Sequence, residues 1–479
     1  MTYEAVIGLE IHVQLNTKTK TFCSCSAEYG ARPNSHTCPV CLGLPGALPV
    51  INERVLIQGV IAGLALSCEI SNFSVFARKN YFYPDLPKAY QISQYELPLN
   101  KNGHVMILNE KGREKRIGII RAHLEEDAGK LVHDENPKGP SYVDFNRCGV
   151  PLLEIVTEPD IRSPEEAYRF LVAIKEILQY AGVSECNMEK GELRVDVNIS
   201  LRECGEEAFG VKQEIKNMNS FANVRRALEY EIKRQARILR TGGKLKQETR
   251  LFDQTKNSTI TMRTKEEAHD YRYFPDPDLV PIVIEDEFIE NVHKKLPELP
   301  EQKRDRLVTH YGLTRYDAEN LCTSYKIANY FEATCKNYPQ PKKIANWILS
   351  EVMKVLNQEK IEIDQFKVTP SNLRELFDLL DSGVISGKIA KEVFSLMVST
   401  GKTAKIIVEE KGLKQLTDKD HINKVVDDVI AENEKVVSEY RDGKMKAFGF
   451  LMGQVMHKTK GKANPHLVNE LLKERIENK

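Results

Sequence analysis

Several short segments of this chain alternate so that ionisable groups collect on one side. In "IGLEIHVQL" (residues 7–15), Ile7, Leu9, Ile11, Val13 and Leu15 fall on one face, and Gly8, Glu10, His12 and Gln14 on the other. "LRVDVNISL" sets Arg194, Asp196, Asn198 and Ser200 against Leu193, Val195, Val197, Ile199 and Leu201. "VKQEIKN" sets Lys212, Glu214 and Lys216 against Val211 and Ile215, and "IGIIRAHLEED" sets Arg121, His123 and Glu125 against Ile120, Ala122 and Leu124. "PLLEIVTEPD" adds Glu154 among apolar neighbours. If these strands share one sheet in matching orientation, Glu10, His12, Glu125, Asp196 and Glu214 converge. Crowded carboxylates repel and raise one another's pKa unless a cation neutralises them. Hard oxygen ligands interleaved with Arg and Lys suit a Mg2+–nucleotide site, where carboxylates hold the metal and basic groups offset phosphate charge. The wet face of an ordinary antiparallel sheet alternates in the same way. His12 suits Zn2+ better than Mg2+ as a ligand. Pattern alone leaves both readings open.

A second constellation lies in "TFCSCSAEYGARPNSHTCPVCLG". Cys23 and Cys25 form one close pair, Cys38 and Cys41 another, and a short loop with Pro, Gly and Asn joins them. Two chelating thiolate pairs brought together by a turn are what tetrahedral four-thiolate zinc ligation needs. Four protein ligands close the site, so the zinc would be structural. Unrelated thiols, a disulfide pair, or His36 in place of one Cys are the alternatives. The other six cysteines are scattered singly, as buried thiols in a reducing compartment are.

Two loops rich in Tyr, Phe, Pro and Asp resemble each other, "RKNYFYPDLPKAYQIS" and "DYRYFPDPDLVP". Such loops stack bases and contact phosphates, or simply stiffen a surface over the core, with Asp85 and Asp276 as turn formers. "STGKT" ends like a phosphate-binding loop, but Leu396 stands where its first Gly is required. From Arg441 to Ala463 six basic residues (Arg441, Lys444, Lys446, Lys458, Lys460, Lys462) meet one acid, Asp442, before a helix capped by Asn464 and opened by Pro465. That basic loop suits contacts to an RNA backbone, or is a solvated lysine surface.

The elements that position these groups follow from the wider pattern. With 479 residues the chain is too long for one core. Its 69 basic residues balance 69 acidic ones, which argues against a nucleic-acid-coated protein but not against a local basic patch. There is no run of 18 apolar residues and "MTYEAVIGLE" lacks a secretory leader, so no membrane span and a cytoplasmic location are expected. Residues 1–294 read as mixed α/β with the cysteine insertion at 23–41, residues 295–405 as a helical domain, and 406–479 as a small helical tail. Pro297 and Pro300 mark the first junction and Gly401 the second. One long helix is expected from Asn219 or Ser220, with Phe221, Val224, Leu228, Ile232 and Leu239 as its core stripe.

Taken together, "VIGLEIHVQL", "RKNYFYPDLPKAYQISQ", "HLEEDAGKL", "DFNRCGVPLLEIVTEPDIRSPEEA", "DVNISLR", "EIKNMNSF", "QETRLFD", "DYRYFPDPDLVP" and "GFLMGQVMHKTKGKANPHLVNELL" resemble the B subunits of the aspartyl/glutamyl-tRNA amidotransferases along nearly the whole chain. The resemblance implies an α+β fold: a cradle-like catalytic domain on an antiparallel sheet, then a helical domain and a helical tail. It implies ATP-dependent phosphorylation of the side-chain carboxylate of Glu or Asp on a misacylated tRNA. Ammonia from a partner amidase then displaces the phosphate. ATP, Mg2+ and a structural Zn2+ are the implied cofactors. The implied partners are the amidase (the A subunit) and the small C subunit of a heterotrimer, and the misacylated tRNA, with no membrane.

Carried over by motif, Glu10, His12, Glu125 and Glu214 are the metal-site residues, with Glu126, Glu154 and Asp196 beside them. Lys79, Lys88, Arg194 and Lys216 are candidates for phosphate or tRNA 3′-end contacts on chemistry alone. Lys446, Lys458, Lys460 and Lys462 would grip the tRNA. Some members of the family lack the cysteine cluster, so Cys23, Cys25, Cys38 and Cys41 as zinc ligands rest on spacing. No amidase Ser–Ser–Lys signature is evident, in keeping with glutamine hydrolysis on another chain. The rival reading is a non-catalytic tRNA-binding scaffold of the same complex.

Overall fold

Period-two alternation becomes one nine-stranded sheet among the described residues. In chain order its strands are β1 (Tyr3–Gln14), β2 (Glu69–Ile70), β3 (Asn100–Leu108), β4 (Glu114–Glu126), β5 (Pro151–Thr157), β6 (Leu193–Glu203), β7 (Gln213–Met218), β8 (Glu248–Asp253) and β9 (Ser258–Thr264). They lie in the order β9-β8-β7-β6-β1-β5-β4-β3-β2. Every neighbouring pair is antiparallel except β7 and β8. The computed structural model describes residues 2–134, 139–264, 271–413, 419–441, 443–459, 463 and 465–477. The chain divides into two compact units, Met1–Gln302 and Lys303–Lys479.

The apolar face of the sheet carries the core of the first unit. Ile7, Leu9, Ile11 and Val13 are buried with Leu153, Ile155, Val195, Val197 and Ile199 from the flanking strands. Helices α1 (Glu53–Ala65), α2 (Pro164–Tyr180) and α3 (Phe221–Arg240) pack on that face through Val60, Phe170, Ile174, Val224 and Leu228. Ser163 caps α2 ahead of Pro164, and Ser220 caps α3 by accepting the Asn223 N–H. The expected α3 stripe is the packed one, and Glu231 and Gln235 are buried beside it.

One strand departs from its simple alternation. The pattern puts Ile120 on the core side, yet it is exposed while Ile117 and Ile119 are buried. A bulge between Val156 and Thr157 shifts the β5–β4 register there and turns the strand by one residue.

The second unit is built of helices joined by short loops among its described residues. Helices from Pro300–Tyr311 to Ala404–Glu410 enclose Phe331, Ile344, Phe377 and Phe394, with Trp347 edge-on to the last two. The tail helices Lys419–Glu432, Glu434–Arg441, Met445–Lys458 and Pro465–Glu477 share a cluster of their own around Ile422, Val426, Leu451, Val455 and Leu472. No described helix is long and apolar enough to cross a membrane.

Candidate active site

β1 lies at the centre of the sheet, so its polar side chains have opposed partners on both flanks. His12 is opposite Glu154 on β5 and Arg194 on β6, and Glu154 is opposite His123 on β4. One rung along, Glu10 is opposite Asp196, and Asn198 is opposite Glu214 on β7. Directly opposed Cβ atoms stand only about 5 Å apart, so side chains from distant parts of the chain meet.

Two clusters result. In the first, ligand atoms of His12, Glu125 and Glu154 lie within 4.8 Å of one another, and His12 Nε2 is 3.5 Å from both carboxylates. In the second, Glu10, Asp196 and Glu214 offer oxygens within the same 4.8 Å span. Lys216 lies across the second cluster, 2.5 Å from Asp196 and 3.0 Å from Glu214. Asn198 donates to Glu10 at 3.0 Å and Thr249 to Glu214 at 2.8 Å, which orients both carboxylates.

Electrostatics separates the members of the first cluster. Burial, then the charge of Glu154, pushes the Glu125 carboxyl above the usual carboxylate range. Glu154 is also buried, but the flanking His123 and His12 outweigh that and hold it well below its ordinary value. Burial disfavours the His12 cation, yet Glu154 and Glu125 leave its pKa raised. A carboxyl group driven toward its neutral form beside an ionised one is a site that gains by taking up a cation. The convergent oxygens of both clusters, with one imidazole, therefore fit a small divalent ion.

Lys79, from the strand Ala77–Asn80, belongs with this group. Burial lowers its pKa, but Glu125 and Glu154 more than offset that and raise it. Arg194 is anchored to Asp127 at 2.9 Å, and Arg147 reaches the other Asp127 oxygen at 2.6 Å. Sequence reasoning does not single out Asp127 or Arg147. Period two in "HLEED" does place Asp127 on the face of Glu125, so for that residue a signal is there to read.

Lys88 and Glu126 are placed elsewhere. Glu126 follows Glu125 by one residue and so turns to the opposite face, where it pairs with Lys88 and accepts the Ile92 N–H at 2.9 Å. Both are buried. The structure brings neither to the carboxylate row, a placement that alternation dictates and resemblance alone does not reveal.

The two aromatic loops are neighbours. Phe274–Pro275 pairs with Ala77–Asn80, which pairs with Tyr90–Ser93. Asp276 is no mere turn former: it is buried and accepts from Arg78 at 2.9 Å. Tyr273 stacks on Tyr95 with ring centroids 4.3 Å apart, and Lys79 lies 5.1 Å from the Tyr271 ring.

The four cysteines of the insertion also converge, their sulfurs within 4.8 Å of one another. A hydrogen bond from Cys23 holds the Cys41 thiol down at about 4, with Lys20 helping, while burial raises Cys25 to about 11. Fully buried Lys20 has its Nζ 3.6 Å from Cys41 Sγ and 2.7 Å from the His36 carbonyl. Four sulfurs beside a buried cation fit a metal ion, and His36 presents its backbone here. In the tail, Lys446 is exposed and Lys458 pairs with Glu432 at 2.6 Å, while Lys460, Lys462 and Asn464 lie outside the described residues.

A large antiparallel sheet lined with clustered carboxylates, followed by helices, is the class of molecule the fold and site define. The sequence pattern described as the GatB/GatE catalytic domain matches residues 5–290, and that described as the GatB domain matches residues 329–476. The B subunit of the aspartyl/glutamyl-tRNA(Asn/Gln) amidotransferase of Thermoanaerobacter pseudethanolicus is 56% identical over 99% of this chain and 100% of its own. The proteins of the same name from Caldicellulosiruptor saccharolyticus and Persephonella marina are 56% and 57% identical, over 100% and 99% of this chain and 100% and 99% of theirs. The chain belongs to the family of B subunits of the aspartyl/glutamyl-tRNA(Asn/Gln) amidotransferases.

Proposed function

We propose that this chain activates the side-chain carboxylate of Glu or Asp carried on a misacylated tRNA by phosphorylation from ATP, and that ammonia then amidates it. The observation that carries the reading is the pair of carboxylate clusters on adjoining rungs of one polar face, with Lys79, Lys216 and Arg194 beside them. A carboxylate oxygen is a poor leaving group, and phosphate is a good one. The substrate carboxylate attacks the γ-phosphorus and ADP leaves. Ammonia then attacks the acyl carbon and inorganic phosphate leaves.

Catalysis of this kind rests on positioning and on neutralising charge. His12, Glu125 and Glu154 would hold one divalent ion, and Glu10, Asp196 and Glu214 another; when bound, Mg2+ supplies charge neutralisation at the phosphates. Lys79 faces the first cluster, and Lys216 spans two carboxylates of the second. Asp127 aims Arg194 across the row. Glu126 and Lys88 contribute by fixing the strand end beneath Glu125. The cysteine cluster would hold a structural Zn2+. The relatives are named as B subunits, which supports an assembly in which an amidase A subunit and a small C subunit complete a heterotrimer in the cytoplasm. The exposed lysines of the tail would contact the tRNA.

The test is ATP turnover by the chain with its partner proteins, with Glu-tRNA added or withheld and no amide donor. Turnover should require the charged tRNA and fall at least 100-fold in Glu10→Ala, which leaves Asp196 and Glu214 without their third carboxylate. Wild-type protein that binds the tRNA but never consumes ATP would instead establish the scaffold reading.

A further inference from the structure

Between the two close Cys pairs of the insertion runs a loop, residues 26–37, and no side chain from Glu28 to Ser35 is buried. Such a segment has little apolar packing of its own. Closing its ends onto the sulfurs of Cys23, Cys25, Cys38 and Cys41 lowers the entropy cost of ordering it.

The polar groups of this loop meet one other segment, residues 143–149. Asn34 stands in left-handed backbone, at φ 58°, which Asn tolerates better than most residues. Its N–H donates to Asp144 at 3.0 Å and its side-chain amide to the Val143 carbonyl at 2.9 Å. Its side-chain oxygen accepts the Phe145 N–H at 2.8 Å. Asn146 bonds in the opposite sense, accepting the His36 N–H and donating to the Arg32 carbonyl, each at 2.8 Å. Fully buried Lys20 joins all three parts: its Nζ donates to the His36 carbonyl at 2.7 Å and the Phe145 carbonyl at 3.4 Å, and lies 3.6 Å from Cys41 Sγ.

The residue after Asn146 is Arg147. Its Nε and one terminal nitrogen donate to a single Asp127 oxygen at 3.1 and 2.6 Å, and the other oxygen takes Arg194. Glu10, His12, Glu125 and Arg194 stand on strands, where the ladder fixes their places. Arg147 comes from a turn, so sheet register does not place it. The loop bonded to its neighbours on the chain supplies that constraint.

We propose that the cysteine-closed loop positions Arg147 for the activation step, with Asn34 and Asn146 as the positioning residues. The proposal rests on the ATP-dependent reading above. Arg147, held beside Arg194, would stabilise negative charge on the reacting groups, and the metal cluster would support a site that it stands outside.

Hydrogen exchange of the full-length chain, and Glu-tRNA-dependent ATP turnover with the partner proteins, test it together. Asn34→Gly removes both side-chain bonds and keeps the positive φ without strain. Its amides from Phe145 to Val150 should exchange about fivefold faster, with those of Tyr3–Gln14 unchanged and the bound metal retained. Its kcat should fall about fivefold while the KM for Glu-tRNA stays within about twofold. Asn146→Ala cuts the same junction from the other side and should do the same. Arg147→Met should lower kcat about tenfold, and Asn34→Gly added to it should cost less than about twofold more. Stripping the metal from wild type with a chelator should quicken the same amides. Unchanged exchange in residues 145–150 in both Asn variants, or after metal removal, overturns the proposal. So does a fivefold loss that persists in the Arg147→Met background, which would place the effect elsewhere. Wild-type protein that consumes no ATP overturns the activation reading and with it the role of Arg147; failure of the variants alone leaves that reading standing.

Discussion

Asp127 shapes the proposed chemistry through the two guanidiniums it holds. Each of its carboxylate oxygens accepts from a different guanidinium, Arg194 on one side and Arg147 on the other. Burial works to raise the Asp127 carboxyl, but the two arginines outweigh it and hold the group below its usual range. Removing the charge frees both guanidiniums while leaving the strand intact. Asp127→Asn should lower kcat/KM about 10- to 100-fold, the range seen when a supporting partner of a site is lost. The loss of a buried partner should also cost about 2–3 kcal/mol of stability, less than for a fully buried pair because Arg194 is 44% exposed. Steady-state kinetics and urea unfolding of the same variant read the two effects separately. Arg194→Lys should not keep full activity, because a compact ammonium lacks the planar guanidinium that bonds Asp127 through one nitrogen while its other donors stay available.

Helix α3 is tied to the sheet by a charge, not only by its apolar stripe. Glu231 is fully buried and pairs with Arg234 and with Arg250 of β8, while Thr259 of β9 donates to it. Burial works to raise its pKa, but the hydrogen bonds and charge of Arg234 and the Thr259 hydroxyl prevail and hold the folded carboxyl below its ordinary value. The unfolded state therefore binds the proton first as pH falls. The contribution is fully present above the ordinary carboxylate range and is lost as pH drops through the depressed folded value. Glu231→Gln should cost about 2–3 kcal/mol at neutral pH, below the cost of a wholly unpaired buried charge because Arg250 keeps Glu248 at 2.6 Å. Its stability should also fall less steeply than wild type below about pH 4.5. Thermal unfolding from pH 7 to pH 3 checks both slope and sign. A variant that tracks the wild-type acid limb would show that another carboxylate sets it.

The whole chain has no net charge, yet it distributes function by region. The carboxylate row and the cysteine cluster belong to the first unit, whose core is the apolar side of one sheet. The second unit has its own buried residues, from Leu307 and Phe331 to Val455 and Leu472. A unit with its own core and no open sheet edge among its described residues needs no template from the first. Residues 303–479 produced alone should be strongly helical and unfold in at most two cooperative steps, one for each buried cluster, as far-ultraviolet circular dichroism against temperature would show. A gradual, non-cooperative melt would mean that the helices depend on the first unit for their packing.

Much of the site is legible in one dimension because the strand period is two. Glu10 and His12, or Asp196 and Arg194, share a face whatever lies beside them, so face membership follows from local order. Close cysteine spacing likewise announces a four-sulfur cluster, and a capping Ser with a 3.6-residue stripe announces α3. Neighbour relations are not legible. That His12 stands between Glu154 and Arg194 depends on β1 lying between β5 and β6, a pairing across well over a hundred residues. The Arg78–Asp276 bond joins loops 198 residues apart, and the bulge that exposes Ile120 is set by a partner strand. Glu126 reads as a second carboxylate of the row until its face and its Lys88 partner are seen. Composition and period determined which side chains travel together on one element. Which elements became neighbours was settled by long-range packing, where the free energy of burying one shared apolar face selects the strand order and so chooses the partners of every charge on the other.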